Sequence, residues 1–304
     1  MDASARVLTP RSGRSAAAEG AGVAERRGPR PPSLRSVALW GGVVVICVFC
    51  LMPFYWLINV SLKTGGDLAR ADLLPPNPSL DNYGSIFDNA DFTAALRNSV
   101  IVTSITTVLA LVVGSFAAYA LARLRFPLKF LILAVVLSIS TFPPIAIASP
   151  IFKLWTDIGL YNTYAGLIIP YLTFALPLAI YILASFFREI PKDLEEAALV
   201  DGATHFQAFR KVVLPLAAPG LVTAGLLTAF FVWNEFLLAV TLTSSPSAFT
   251  VPVAVANFTG STEFEIPLGT ISAASVVITV PLVALVIIFQ KRIVAGMTSG
   301  AVKG

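Results

Sequence analysis

Six stretches of almost unbroken apolar sequence alternate with short polar segments along the chain, at roughly 37–59, 99–122, 130–151, 165–187, 217–241 and 269–289. Each holds twenty-odd residues. At about 1.5 Å per helical residue that matches a hydrocarbon layer about 30 Å thick. The runs are continuously apolar and lack the every-other-residue alternation of a membrane β-barrel. The pattern predicts an all-α membrane protein with six transmembrane helices. Pro143, Pro144, Pro170, Pro177 and Pro281 fall inside the runs and predict kinks or breaks, which a bundle tolerates where neighbouring helices shield the freed backbone groups.

Composition agrees with this reading. Of 304 residues, 56% are hydrophobic and 12% charged, against about a quarter charged in a soluble domain; the mean hydropathy is +0.82. The net charge of +4 decides little, because its placement matters more. With a cytoplasmic N-terminus, segments 1–36, 123–129, 188–216 and 290–304 face inward. They hold seven, three, four and three basic residues, 17 of the 21 Lys and Arg. The outward loops hold only Lys63, Arg70, Arg97 and Lys153. This asymmetry sets the orientation, with both termini in the cytoplasm. No basic cluster interleaved with aromatics points to nucleic acid.

Residues 1–36 read as a disordered cytoplasmic tail, 37–289 as the transmembrane domain and 290–304 as a C-terminal cytoplasmic tail. The first apolar run lacks a small-residue cleavage site, so it is not a signal peptide. Two outward segments are long. Residues 60–98 contain LLPPNP and then DNYGSIFDNADFTAALRNS, which reads as short surface helices; residues 243–268 contain FTVPVAVANFTGSTEFE. Both are candidates for contact with an external partner or are plain connections. Cys47 and Cys50 form a CxxC pair inside an apolar run. With no second pair and a single histidine in the chain they read as small hydrophobes, and no metal site is expected.

The segment after the fourth run, FREIPKDLEEAALVDGATHFQAFRKVVLPLAAPG, is unusual. Pro191 suits a first helical position, and Asp193, Glu195 and Glu196 sit near the positive helix end. Leu194, Ala197, Ala198 and Val200 form a small apolar face. Asp201-Gly202 ends this helix. Thr204, with Gln207 three residues on, starts another in a capping-box arrangement. Phe206, Phe209, Val212 and Val213 line its apolar side, and Pro215 and Pro219 close the segment. Such a helix–turn–helix outside the membrane has no domain of its own to bury these side chains. It should dock into a cleft on a cytoplasmic partner or lie on lipid, and its acidic start argues against anionic lipid.

In this loop Glu196-Ala197-Ala198, three residues, Gly202, nine residues and Val212-Val213-Leu214-Pro215 resemble the EAA loop of binding-protein-dependent ABC importer permeases, with Val212 in place of the family's Ile. Asn82-Tyr83, Asn98-Ser99, Gly159-Leu160-Tyr161-Asn162-Thr163 and Trp233-Asn234-Glu235-Phe236 look like the carbohydrate permeases of the maltose G-subunit type, as does the tail Gly296–Gly304. ARLRFP, AFRKV and LPLAAPGLVTA look most like the second permease of actinobacterial trehalose importers.

The resemblance implies a type I ABC importer permease fold with a cytoplasmic coupling helix over 190–202. It implies a complex with a second homologous permease, two ATPase subunits and an external sugar-binding protein, a lipoprotein in this branch. The imported sugar would be trehalose, or another oligosaccharide such as maltose. The coupling residues it implies are Leu194, Glu196, Ala197, Ala198, Asp201, Gly202, Phe206 and Pro215, with Glu196 pairing with an ATPase arginine. Thr298, Ser299 and Gly300 of the tail would reach between the ATPase subunits. The chain has no GxxxxGK[ST] loop, so ATP and Mg belong to the partner and no cofactor is expected here.

Glu235 is the one acid inside a run. It reads either as lining the sugar path or an outer gate with Trp233 and Asn234, or as a helix–helix hydrogen bond near the interface. His205 reads as a pH switch or, more simply, as a surface residue. Two rivals fit less well. A secondary transporter would need ionisable pairs within its spans. A membrane-embedded enzyme would need metal ligands beside the loop acids Asp193, Glu195, Glu196 and Asp201.

Overall fold

A computed structural model describes residues 34–258 and 267–299. Residues 1–33, most of the expected N-terminal tail, lie outside them. So do 259–266 of the second outward segment, and Gly300 with the residues after it. The described residues fall into two compact units that part between Cys50 and Leu51. Among the described residues all regular structure is helical.

The helices are α1 (Leu34–Ser61), α2 (Asp81–Asp88), α3 (Ala90–Arg123), α4 (Lys129–Thr141), α5 (Pro144–Asp157), α6 (Tyr164–Glu189) and α7 (Lys192–Val200). Then follow α8 (His205–Ala208), a π-helical turn at Phe209–Val213, α9 (Leu214–Leu216), α10 (Ala218–Trp233), α11 (Leu237–Leu242), α12 (Val251–Ala256) and α13 (Leu268–Ser299). Among the described residues four stretches are long and apolar enough to cross a membrane alone: Ala38–Ser61, Ala90–Arg123, Tyr164–Glu189 and Leu268–Gln290.

The third and fifth runs, expected as single spans, are broken. α4 and α5 meet at 86°. With 13 and 14 residues each is about 20 Å long, too short to cross alone. The cause is Pro143-Pro144: the residue before a proline is pushed out of the α region, and Phe142 and Pro143 are both extended. The fifth run ends at Trp233 and resumes at Leu237. Before it, α10 is bent by 75° from the helical stretch His205–Leu216. Pro170, Pro177 and Pro281 do not break their helices; α6 and α13 run through them. α13 also continues to Ser299, past the expected end of the span at 289.

α3 and α6 form the centre of the larger unit. Their contact is built from small residues: Ala110, Gly114 and Ala118 on α3, Ala175, Ala179 and Ala184 on α6, all buried. A Cβ on Gly114 would stand 3.3 Å from the Ala179 Cβ. Lipid tails are as apolar as leucine, so close van der Waals approach, not water exclusion, holds such a pair. Around it lie three apolar clusters. One joins α3, α5, α6 and α11 about Trp155, Tyr171 and Leu238. One joins α3 and α6 to the loop through Phe187, Phe209 and Val213. One joins α2, α3, α12 and α13 about Ile86, Phe92 and Val251.

Candidate coupling site

α7 begins at Lys192, one position later than the sequence suggests, with Pro191 as its N-cap rather than its first helical residue. Its end is set by Gly202, whose φ is +85°. The Gly202 N–H donates to the Leu199 carbonyl and the Ala203 N–H to the Ala198 carbonyl, both at 3.0 Å. This is the Schellman pairing, which needs a left-handed residue at that place. Thr204 then caps α8: its Oγ1 accepts from Gln207 N, and the Gln207 side chain accepts from Thr204 N. The π-helical turn just before Pro215 absorbs the backbone mismatch that a residue without an N–H creates.

The structure divides the loop's apolar residues into two sets. Phe209 and Val213, expected to have nothing to bury them, are buried among Ala118, Leu183 and Phe187 of the chain itself. The Phe209 ring sits 4.8 Å from the Tyr119 ring and 5.4 Å from the Phe116 ring. Leu194, Val200 and Phe206 stay uncovered, with 46%, 87% and 57% of their surface free. Ala197 and Glu196 are also exposed, Ala198 is half-buried, and Asp201 and Pro215 face outward. His205 is exposed.

Glu195 points the other way. Its Oε2 lies 3.3 Å from Arg123 Nε at the end of α3, in a pair whose side chains are 11% and 4% exposed. The Tyr119 hydroxyl donates to Glu195 Oε1. Arg123 Nη2 also donates to the Ile190 carbonyl at 2.8 Å. The sequence reading counts Arg123 only as an orientation anchor and Glu195 only as a charge near a helix start. The adjacency of Glu195 and Glu196 was the available signal, since neighbours on a helix stand about 100° apart and cannot share one face.

At the opposite end of α3, the residues that carry the sugar-permease resemblance hold loops. Asn98 Nδ2 donates to the carbonyls of Pro246 and Phe249 at 3.1 and 3.0 Å, and Asn98 Oδ1 accepts from the Tyr164 hydroxyl. Ser99 Oγ accepts from Val251 N. Asn162, at φ +58°, accepts from the N–H groups of Ser244 and Ser245. Asn82 Nδ2 donates to the carbonyls of Ser61 and Lys63. Residues 243–258 are therefore folded onto the bundle.

Glu235 stands at the break in the fifth run. Its two carboxylate oxygens accept from Leu238 N and Ala239 N at 2.9 and 3.1 Å, which caps the start of α11 at the break in the fifth run. Asn234 Nδ2 donates back to the Phe230 carbonyl. Trp233 is buried and lines a groove with Thr103 and Ser104. α13 is described as far as Ser299, so Thr298 and Ser299 lie in its last described turn, and Gly300 is beyond the described residues.

Gly202 gives a direct test of this loop geometry. A side chain there meets nothing within 4 Å, so only the backbone conformation is at stake. Asn, which tolerates the left-handed region, should preserve transport at Gly202→Asn. Gly202→Val should weaken the turn by about 1–2 kcal/mol. Uptake compared at equal membrane levels should fall roughly tenfold for Val and little for Asn; equal activity of the two would remove the turn from the coupling site.

The chain is thus a membrane bundle with a structured helical loop, packed on the bundle on one side and uncovered on the other. The chain belongs to the family of binding-protein-dependent transport system inner membrane components, whose model matches residues 110–299. It is thus an integral membrane protein and the permease of a sugar-importing ABC transporter. It is 52% identical over 271 residues to the trehalose transport system permease protein SugB of Mycobacterium tuberculosis, covering 89% of this chain and 99% of that one. It is 39% identical to the trehalose/maltose transport system permease protein MalG of Thermococcus litoralis, covering 90% and 99%. The fold matches a chain of a bacterial ABC transporter involved in the import of the acidic polysaccharide alginate, with a TM-score of 0.71, 25% identity and coverage of 86% and 99%.

Proposed function

We propose that this chain is one of two permeases of a trehalose importer, with its N- and C-termini in the cytoplasm. The observation that supports the substrate is the 52% identity to the Mycobacterium tuberculosis trehalose permease, sustained over nearly the whole chain. Two ATPase subunits hold ATP and Mg, and an external binding protein delivers the sugar. α7 is the coupling helix. Leu194, Ala197, Ala198 and Phe206 give most of the grip on the ATPase, and Glu196, which is exposed, adds an ion pair worth about 0–1 kcal/mol. ATP binding closes the ATPase dimer, and the bundle switches from inward-facing to outward-facing as the docked helices move. Thr298, Ser299 and Gly300 extend toward the ATPase subunits. Trp233 and Asn234 border the outer part of the sugar path with the hydroxyl groups of Thr103 and Ser104, and Glu235 holds the helix break beside them.

The likeness to the Thermococcus litoralis trehalose/maltose permease supports a second reading, in which maltose is also carried. Labelled-trehalose uptake in a strain deleted for this chain tests both. Restoration should require a co-expressed ATPase subunit, and excess unlabelled trehalose should abolish the signal. Competition by maltose would support the broader substrate range. Uptake that survives loss of every ATPase partner would overturn the importer reading.

A further inference from the structure

We propose that Glu195 and Arg123 are positioning residues that make α7 and α3 a single moving body, so that α3 carries motion from the coupling helix to the opposite face of the bundle. The inference rests on the coupling role given to α7 above.

Three observations support it. First, Glu195 is the one buried residue among the nine of α7. No apolar side chain of that helix is buried in the bundle; a carboxylate is, held by the Arg123 guanidinium and the Tyr119 hydroxyl. Both of those partners belong to α3. Leu194 and Glu196, on either side of Glu195, and Ala197 are left exposed. Second, Arg123 also holds the Ile190 carbonyl just ahead of α7. The helix is therefore tied to α3 through its approach as well as through its first turn. Third, α3 is suited to carry a displacement. It runs 34 residues without a proline or a break, about 50 Å. Each of the other described spans contains a proline or is broken. At its far end Asn98 and Ser99 grip the segment 246–251 by three hydrogen bonds. A push on α7 thus reaches that segment through one uninterrupted rod.

A buried pair is well suited to this task. Breaking it leaves a charge with no counterpart in a place that water does not reach, so the two partners separate only at high cost. An exposed pair would slip under load.

Spin labels at Lys192, exposed at the start of α7 and outside the docking set, and at Val100, on the uncovered side of α3, measure the idea directly in the assembled complex. The distance between them should change by less than about 2 Å, the size of an ordinary helix shift, between the nucleotide-free and ATP-trapped states. The distance from Lys192 to a label at Leu227 on α10 should change by more. With Glu195→Gln the first distance should broaden and become state-dependent. In the same variant and in Arg123→Gln, the trehalose moved per ATP hydrolysed should fall at least tenfold while the ATPase subunits still co-purify. Glu195→Asp should recover part of the ratio.

An unchanged ratio in both neutral variants overturns the proposal. So does a first distance that shifts as much as the second in the unmodified protein. Loss of the ATPase subunits from both neutral variants also overturns it, since the pair would then only shape the docking surface. The docking role itself is read separately, from Leu194→Asp. If that variant keeps its ATPase subunits, the coupling reading of α7 fails, whatever the pair does.

Discussion

Leu194→Asp is expected to abolish sugar uptake while the protein accumulates in the membrane at its normal level. Leu194 leaves 46% of its surface free, so in the isolated chain the change is a surface substitution worth within about 0.5 kcal/mol. In the docked complex the balance differs. Burying a leucine side chain contributes about 1.5–3 kcal/mol. An unpaired carboxylate in its place costs several kcal/mol more. Each 1.4 kcal/mol is about tenfold in affinity, so the loss should exceed a hundredfold. Labelled-sugar uptake and co-purification of the ATPase measure it together, and both should fail. Glu196→Gln provides the contrast. Glu196 is exposed, an exposed pair is worth about 0–1 kcal/mol, and uptake should drop only a few-fold. If Leu194→Asp transports normally, the bare face of α7 has no partner to lose.

The loop was largely legible because its signals are local. A proline before α7, a glycine at its end and the Thr204–Gln207 box act within a few residues, and each appears in the structure at or within one position of its expected place. The spans were legible as apolar runs for the same reason. What periodicity could not supply was the division of one apolar face between two owners. Phe206 and Phe209 are three residues apart and chemically identical. Yet Phe209 is 4% exposed and Phe206 is 57% exposed, because Phe209 packs into the cluster of Ala118, Leu183 and Phe187 while Phe206 only stacks on Phe116 at 6.5 Å. That depends on how α10 leaves the loop, a long-range property. Arg123 was similarly opaque. A Lys or Arg beside a span satisfies the orientation rule wherever its side chain goes, so the count concealed its pairing with a residue 72 positions later. For Glu235, the sequence shows only a carboxylate within an apolar run, which implies a costly buried charge. The run is in fact interrupted there, and the exposed amides of a new helix start supply the hydrogen bonds.

Gly166→Ala should be the most damaging glycine-to-alanine change among the described residues, although no sequence pattern marks that glycine. Gly166 lies in the first turn of α6, where the Thr163 side chain accepts from its N–H. A Cβ there would fall 2.1 Å from the Leu160 carbonyl oxygen and 3.1 Å from Trp155 Cδ1. Neither neighbour can give way cheaply. The Leu160 carbonyl already accepts from the Thr163 hydroxyl at 2.7 Å, and the Trp155 indole N–H donates to the Gly166 carbonyl at 2.7 Å. A shift of this turn would also move Asn162, whose carbonyl oxygen Oδ1 holds Ser244 and Ser245. Overpacking typically costs 1–3 kcal/mol, and against fixed backbone the expectation is about 3 kcal/mol or more. Thermal unfolding of the purified protein in detergent should therefore begin several degrees lower, and steady-state membrane levels should fall. Gly202→Ala, which meets nothing within 4 Å, should leave global stability almost unchanged, because its strain is confined to one turn. Equal melting temperatures for the two variants would mean that the Trp155–Gly166 contact does not hold α5 to α6 as described.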